Sequence, residues 1–222
     1  MSDTIRFYLS LSIIFAAILG VIRFRKMDPA YHPFVYYACQ VVLIEVIVYL
    51  LLSRGMENWA GIPLNIYALT EFYLLTLLFH NWGLFKRKKN IFLSILAVFF
   101  LLFFVTLFIR GYTRRNHFAS ITSSFVLIFF SISAFNKMIL TERINIFKNA
   151  KFWICIGIAI YYTCSILVSA EMFSIINLTH KVTQEFKDNV FQINVYANLF
   201  VNLLYAVAVI WIPRKKNITT LL

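Results

Sequence analysis

Charge is what this chain has least of. Only 14% of its 222 residues are Asp, Glu, Lys or Arg, against about 25% in an ordinary soluble domain. A water-soluble globular fold is therefore excluded. Acidic residues are the scarcest, nine against 21 basic ones. The resulting net charge of +12 does not point to nucleic acid. The basic residues sit at the ends of apolar runs, where membrane topology and anionic headgroups account for them. Cysteine is limited to Cys39, Cys155 and Cys164, all inside apolar runs, so neither a structural disulfide nor a Cys-x-x-Cys site is expected. None of the eleven lysines lies in mid-span, which removes retinal Schiff-base chemistry. Gly-x-Ser-x-Gly, P-loop, Rossmann and His-Glu-x-x-His signatures are all missing, as are internal repeats and low-complexity tracts. Nothing calls for a cofactor or a metal ion.

What is present is apolar surface. Hydrophobic residues make up 61% of the chain, in runs near the ~20 residues that a helix needs to cross a bilayer. The expected fold is all-α, a single domain of seven transmembrane helices over about 5–22, 34–52, 63–85, 91–109, 118–140, 151–173 and 190–212. The first run is read as an uncleaved span, because Asp3 precedes it while Arg23, Arg25 and Lys26 follow it, the reverse of a secretory signal. Span four is almost wholly Phe, Leu, Ile and Val and is expected to face lipid over much of its surface. Span five carries Ser120, Thr122, Ser123, Ser124, Ser131 and Ser133, small hydroxyl residues suited to close helix approach and to hydrogen bonds across an interface.

Span three, Ile62 to Phe85, organises the rest. Pro63 suits its first turn, Glu71 lies within it, and Lys86-Arg-Lys-Lys89 closes it. Counting Lys and Arg on alternate sides gives 14 on the side of that cluster and seven on the other. The bias predicts an outside N-terminus and a cytoplasmic C-terminus, with loop 110–117 and its three arginines as the part that fits least well. The protein is expected in a bacterial cytoplasmic (inner) membrane, among membrane lipids.

That orientation puts both in-span carboxylates at one depth. Glu45 stands seven residues before the outer end of span two and Glu71 at a similar distance into span three, each roughly 10 Å deep at ~1.5 Å per residue. Asn194, Asn198 and Asn202 recur at i, i+4 and i+8 on span seven, one helix face. Tyr162, Ser165 and Ser169 form a polar side of span six, and Tyr67 lies one turn from Glu71. The candidate ligand-binding set is Glu45, Glu71, Tyr67, Tyr162, Ser165, Asn194 and Asn198, in an outward-opening polar cavity with Arg54, Arg110, Arg114 and His117 near its rim.

Ionisable groups inside a membrane are costly and therefore functional candidates. The first reading is a protein that binds a small molecule or ion, sensor- or transporter-like. If it signals, its short loops imply a separate cytoplasmic partner. The second is an intramembrane enzyme acting on a lipid or lipid-linked substrate, with the Glu pair as acid and base. The third is a structural or accessory subunit whose polar groups only specify packing. Asp28, His32 and His80 could also meet at the inner surface as a hydrolytic or metal site, although no two histidines have ligand spacing on a helix.

Three stretches carry a resemblance: Leu64-Asn-Ile-Tyr-Ala-Leu-Thr-Glu-Phe72 opening span three, the serine-rich span five, and Phe152-Trp-Ile-Cys-Ile-Gly-Ile-Ala-Ile-Tyr161 in span six. In these the chain resembles a large group of small uncharacterised bacterial seven-span membrane proteins. The resemblance implies seven helices and directs attention to Asn65, Tyr67 and Glu71.

Overall fold

A computed structural model describes residues 3–86, 89–141, 145–171 and 184–215. Regular structure among the described residues is helical apart from one antiparallel bridge between Met27 and Arg214. The elements are α1 (Asp3–Ser10), α2 (Ile14–Arg23), α3 (His32–Ser53), α4 (Gly61–Asn81), α5 (Lys89–Arg110), α6 (His117–Thr141), α7 (Ala150–Glu171) and α8 (Gln184–Trp211). Six stretches, at Pro29–Ser53, Glu57–Asn81, Lys89–Ile109, His117–Thr141, Ala150–Ala170 and Asn189–Trp211, are long and apolar enough to cross a bilayer. The chain is a multi-pass integral membrane protein.

The first span departs from the expected unbroken helix. It consists of α1, a 3-10 turn over Leu11–Ile13, and α2, and its apolar part, Phe7–Arg23, is shorter than the other six. Two serines sit at the change of pitch. Ser10 Oγ donates to Phe7 O at 3.0 Å and Ser12 Oγ to Leu9 O at 2.7 Å, back-bonds that compete with the regular ladder.

Packing closes most of these helices into a ring. The most extensive contacts run α6 to α7 and α7 to α8, followed by α3 to α4, α2 to α8, α2 to α3 and α4 to α6. Helix α5 leans on α4 and α6 from outside the ring. Its inner face supplies Phe99, whose ring centroid lies 3.8 Å from that of Phe72. Its outer face shows Leu101 and Phe108, the latter 92% exposed. Such a surface requires lipid as its solvent.

The ring is fastened where α2 ends. The Arg23 guanidinium donates to the carbonyls of Val209, of Ile210 at 2.7 Å and of Ile212 at 3.1 Å. These carbonyls belong to the last turn of α8 and the residue after it, a helix end that favours a cation. Asp28 N–H donates to Pro213 O at 3.0 Å and Lys215 N–H to Lys26 O at 2.9 Å, so the segment after α8 is stitched to the α2–α3 loop. At the opposite end, Asn116 caps α6, its Oδ1 accepting from Ala119 N–H at 3.1 Å.

The serine-rich helix α6 packs differently from expectation. Ser123 and Ser124 both donate back to Ser120 O on their own helix. Ser131 is the one that crosses to a neighbour, donating to Cys155 O on α7 at 2.6 Å.

Candidate functional site

The two in-span carboxylates stand in two different surroundings. Glu71, on α4, is buried, and Tyr67, one turn earlier, donates its hydroxyl to Oε1. The i, i+4 spacing on a helix makes that contact available. Tyr37 of α3, Tyr161 and Tyr162 of α7 and Tyr205 of α8 bring four more phenols within electrostatic reach of the same carboxylate. Close helix contact makes room for them. A Cβ added at Gly157 would lie 2.4 Å from Tyr205 Cε1, so α7 must be bare there for the Tyr205 ring to lie against it. Tyr205 meets Tyr37 edge-on with centroids 6.2 Å apart, and Tyr162 meets Tyr161 edge-on at 5.1 Å.

This nest of phenols has unused hydrogen-bonding capacity. The hydroxyls of Tyr162 and Tyr205 are buried and make no full hydrogen bond among the described residues. Tyr162 presents its hydroxyl to Glu71 and Tyr205 to Tyr37, each close enough to interact but short of full hydrogen-bond geometry. A buried hydroxyl left unsatisfied costs about 1–3 kcal/mol, so two of them around one carboxylate form a distinct energetic feature. The Asn194 Oδ1 on α8 is also buried without a donor.

Glu45 is otherwise placed. It is half-buried on α3, and its Oε2 accepts from Ser10 Oγ at 2.9 Å. Asn202 Nδ2 donates to Ser10 O at 3.2 Å and Ser12 Oγ at 3.0 Å. Glu45, Ser10, Ser12 and Asn202 therefore form one connected cluster at the 3-10 turn, in which the single Ser10 hydroxyl proton is shared between Phe7 O and Glu45 Oε2. The asparagine face of α8 is split as a result, because Asn202 serves the first span. No hydrogen bond joins Ser165, Asn194 or Asn198 to either carboxylate among the described residues.

Above both clusters lies loop 111–116, held tightly to α4. Asn65 Nδ2 donates to Tyr112 O at 3.1 Å and to Arg114 O at 2.9 Å, while its Oδ1 accepts from Asn116 N–H at 2.9 Å. Asn116 Nδ2 in turn donates to Thr106 Oγ1 at 2.6 Å. A Cβ at Gly61 would meet Thr113 O at 1.7 Å, so the loop rests directly on the start of α4. Arg115 lies between these fastenings, exposed, and within electrostatic reach of both Glu45 and Glu71. Of the expected rim residues, Arg114 and Arg54 are exposed in the loops at this end, and the Arg110 side chain lies outside the described residues.

Two cavities stand out, and neither is lined by these clusters. One, about 310 Å³, is an apolar groove between α2 and α3 lined by Ile14, Ala17, Ile18, Val21, Ile22, Cys39 and Val42. The other, about 30 Å³, lies at the opposite end, beside Trp82, Lys137 and Lys151. Around Glu71 the phenols are closely packed.

The inner histidines do not assemble. Asp28 Oδ1 accepts from Ala30 N–H at 2.9 Å, His32 stacks on Phe24 with centroids 4.1 Å apart, and His80 lies against Phe92 at 4.4 Å. Among the described residues no three His, Cys, Asp or Glu groups could hold a metal ion.

Sequence reasoning did not include Tyr37, Tyr205, Arg115, Ser10 or Ser12 in the site. Tyr205 was legible as a neighbour of the asparagine face. Arg115 counted only as a topology charge, and Tyr37 stands nearer the opposite end of its span. No family model, curated protein or solved structure matches the chain.

Proposed function

We propose that this multi-pass membrane protein binds a small cation, or a small molecule through a cationic group, at Glu71, as a sensor or transporter would. The observation that carries the reading is a buried carboxylate ringed by five tyrosines, two of whose hydroxyls make no full hydrogen bond among the described residues. A bound cation would take the carboxylate as counter-charge, those hydroxyl oxygens as ligands and the ring faces as cation–π surface. Phenol walls without an added base do not favour acid–base chemistry on a lipid, so binding ranks ahead of catalysis. Glu45, linked through Ser10 to the 3-10 turn of the first span, belongs to the packing of that span.

The 14-to-seven bias of Lys and Arg supports an entrance on the outer side, next to loop 111–116, with the N-terminus outside. In a bacterial cytoplasmic membrane that entrance would face away from the cytoplasm. Signalling would then pass through a separate partner at the basic end. The test is the thermal midpoint of the purified protein in lipid nanodiscs against sodium, potassium, guanidinium and choline chlorides, with Glu71→Gln alongside. At least one cation raises the parent's midpoint and leaves Glu71→Gln unmoved, since a ligand that binds only the folded state stabilises it. Equal responses in both proteins, or none in the parent, would overturn the reading.

A further inference from the structure

The small cavity at the end of the bundle away from loop 111–116 has a polar lining made almost wholly of donors. It holds about 30 Å³ and is bounded by Trp82 just past α4, Lys137 and Thr141 near the end of α6 and Lys151 in the first turn of α7, with apolar side chains between them. Indole and ammonium groups carry N–H donors and no acceptor. Thr141 gives its one hydroxyl proton to Lys137 O at 2.7 Å. Among the described residues no carboxylate lines the cavity. Two positive charges and an indole N–H are therefore gathered with no negative group among them.

Packing and topology leave two features of this lining unexplained. The Trp82 ring is fixed by Phe79, edge-on with centroids 5.5 Å apart, and by Tyr31 at 5.6 Å, but its Nε1–H is buried with no acceptor among the described residues. A buried donor left unmatched destabilises the fold, and a phenyl ring would make the apolar contacts without it. Lys137 is exposed, yet its ammonium turns back to donate to Gly83 O at 2.5 Å, the carbonyl next to Trp82. Gly83 can present that carbonyl because its φ of 78° suits glycine. A lysine that served membrane topology alone would need no such bond, and the ammonium keeps two more donors to offer.

We infer that this cavity is an anion site for a phosphate, that of a lipid headgroup or free phosphate, with Lys137 and Lys151 as counter-charges and the Trp82 N–H as a further donor. Donors from three helices converge from three directions, which suits a tetrahedral anion better than a planar carboxylate, and lysine serves phosphate well as a point charge. The volume admits an oxygen-bearing end and leaves the rest of the molecule outside. Bound there, the anion ties together the ends of α4, α6 and α7. The site lies at the other end of the bundle from Asn65 and is independent of the cation reading of Glu71.

The experiment uses the full chain in maltoside detergent and phosphate-free buffer, titrated separately with inorganic phosphate and with short-chain phosphatidylglycerol, sodium chloride holding the ionic strength constant. Binding is read by the thermal midpoint, which a ligand of the folded state raises, and by the indole N–H resonance of Trp82, which moves downfield as it gains an acceptor. Replacing both Lys137→Gln and Lys151→Gln raises the half-saturating concentration roughly tenfold or more, the loss expected for hydrogen bonds from charged groups. Arg25→Gln, an equal loss of charge on the exposed α2–α3 loop, leaves it unchanged. Trp82→Phe weakens binding several-fold while the midpoint without ligand stays or rises. A response to the lipid alone identifies a headgroup site, and a response to both identifies one that accepts free phosphate. No response to either, or equal weakening by Arg25→Gln and the lysine pair, overturns the site. A Trp82 resonance that stays in place while the midpoint rises overturns the part given to its N–H.

Discussion

Two carboxylates at similar depth on neighbouring antiparallel helices have come to opposite conditions. Glu45 is joined through Ser10 to a cluster in which Asn202 and Ser12 also find partners. Glu71, which like Glu45 has one hydrogen-bond donor, is more deeply buried and is surrounded by phenols of which two make no full hydrogen bond among the described residues. The difference teaches how to tell glue from site inside a membrane. A polar group that fastens helices has its hydrogen bonds made in the folded protein. One that awaits a ligand leaves donors and acceptors around it unfilled.

The comparison can be broken hardest at Gly157. Gly157→Ala would press a methyl group onto the Tyr205 ring, where the contact would be 2.4 Å. An overpacked core costs about 1–3 kcal/mol, occasionally more, and this site should fall at the upper end. The expected outcome is a sharply lowered thermal midpoint in detergent, with cation response lost as the nest deforms. A variant as stable as the parent would mean that α7 and α8 are not in close contact there.

Next in size is Asn202→Leu, which strips the Glu45 cluster of two hydrogen bonds and leaves the Glu71 nest alone. Polar contacts between membrane helices average about 0.6 kcal/mol and reach about 1.7, so a loss of about 1–2 kcal/mol is expected. The midpoint should fall, and hydrogen exchange should rise over residues 3–23. Cation response should stay as in the parent. A variant that loses the response while keeping its stability would erase the distinction between the clusters.

The smallest effects sharpen it. Tyr67→Phe removes a hydroxyl that donates to Glu71 and should cost about 1 kcal/mol. Tyr162→Phe and Tyr205→Phe remove hydroxyls that make no full hydrogen bond among the described residues and should be neutral or slightly stabilising, while each weakens cation response. Equal destabilisation by all three would show that the two orphan hydroxyls are in fact bonded in the folded protein.

These contrasts also show where the sequence was readable. Length, hydropathy and the basic clusters suffice for the helices, because a bilayer leaves few alternatives to an internally hydrogen-bonded span. The break at Leu11–Ile13 was not legible, since it depends on Ser10 and Ser12 meeting Asn202 nearly two hundred residues away. Depth along each helix correctly placed Tyr67 beside Glu71. Tyr37 and Tyr205 were not picked out, because backbone height along a span ignores the reach of a phenol. The i, i+4, i+8 asparagines read as one face, and the fold commits Asn202 of that face to the first span. Asn65, Tyr67 and Glu71 share one short motif but face a loop, a carboxylate and a nest, partners that only tertiary packing supplies.

The measurement that bears most directly on the account is a side-by-side cation titration of the parent, Glu45→Gln and Glu71→Gln in nanodiscs, read by thermal midpoint. The account predicts that Glu45→Gln responds as the parent does while Glu71→Gln no longer responds. Loss of response in Glu45→Gln with response intact in Glu71→Gln would contradict it.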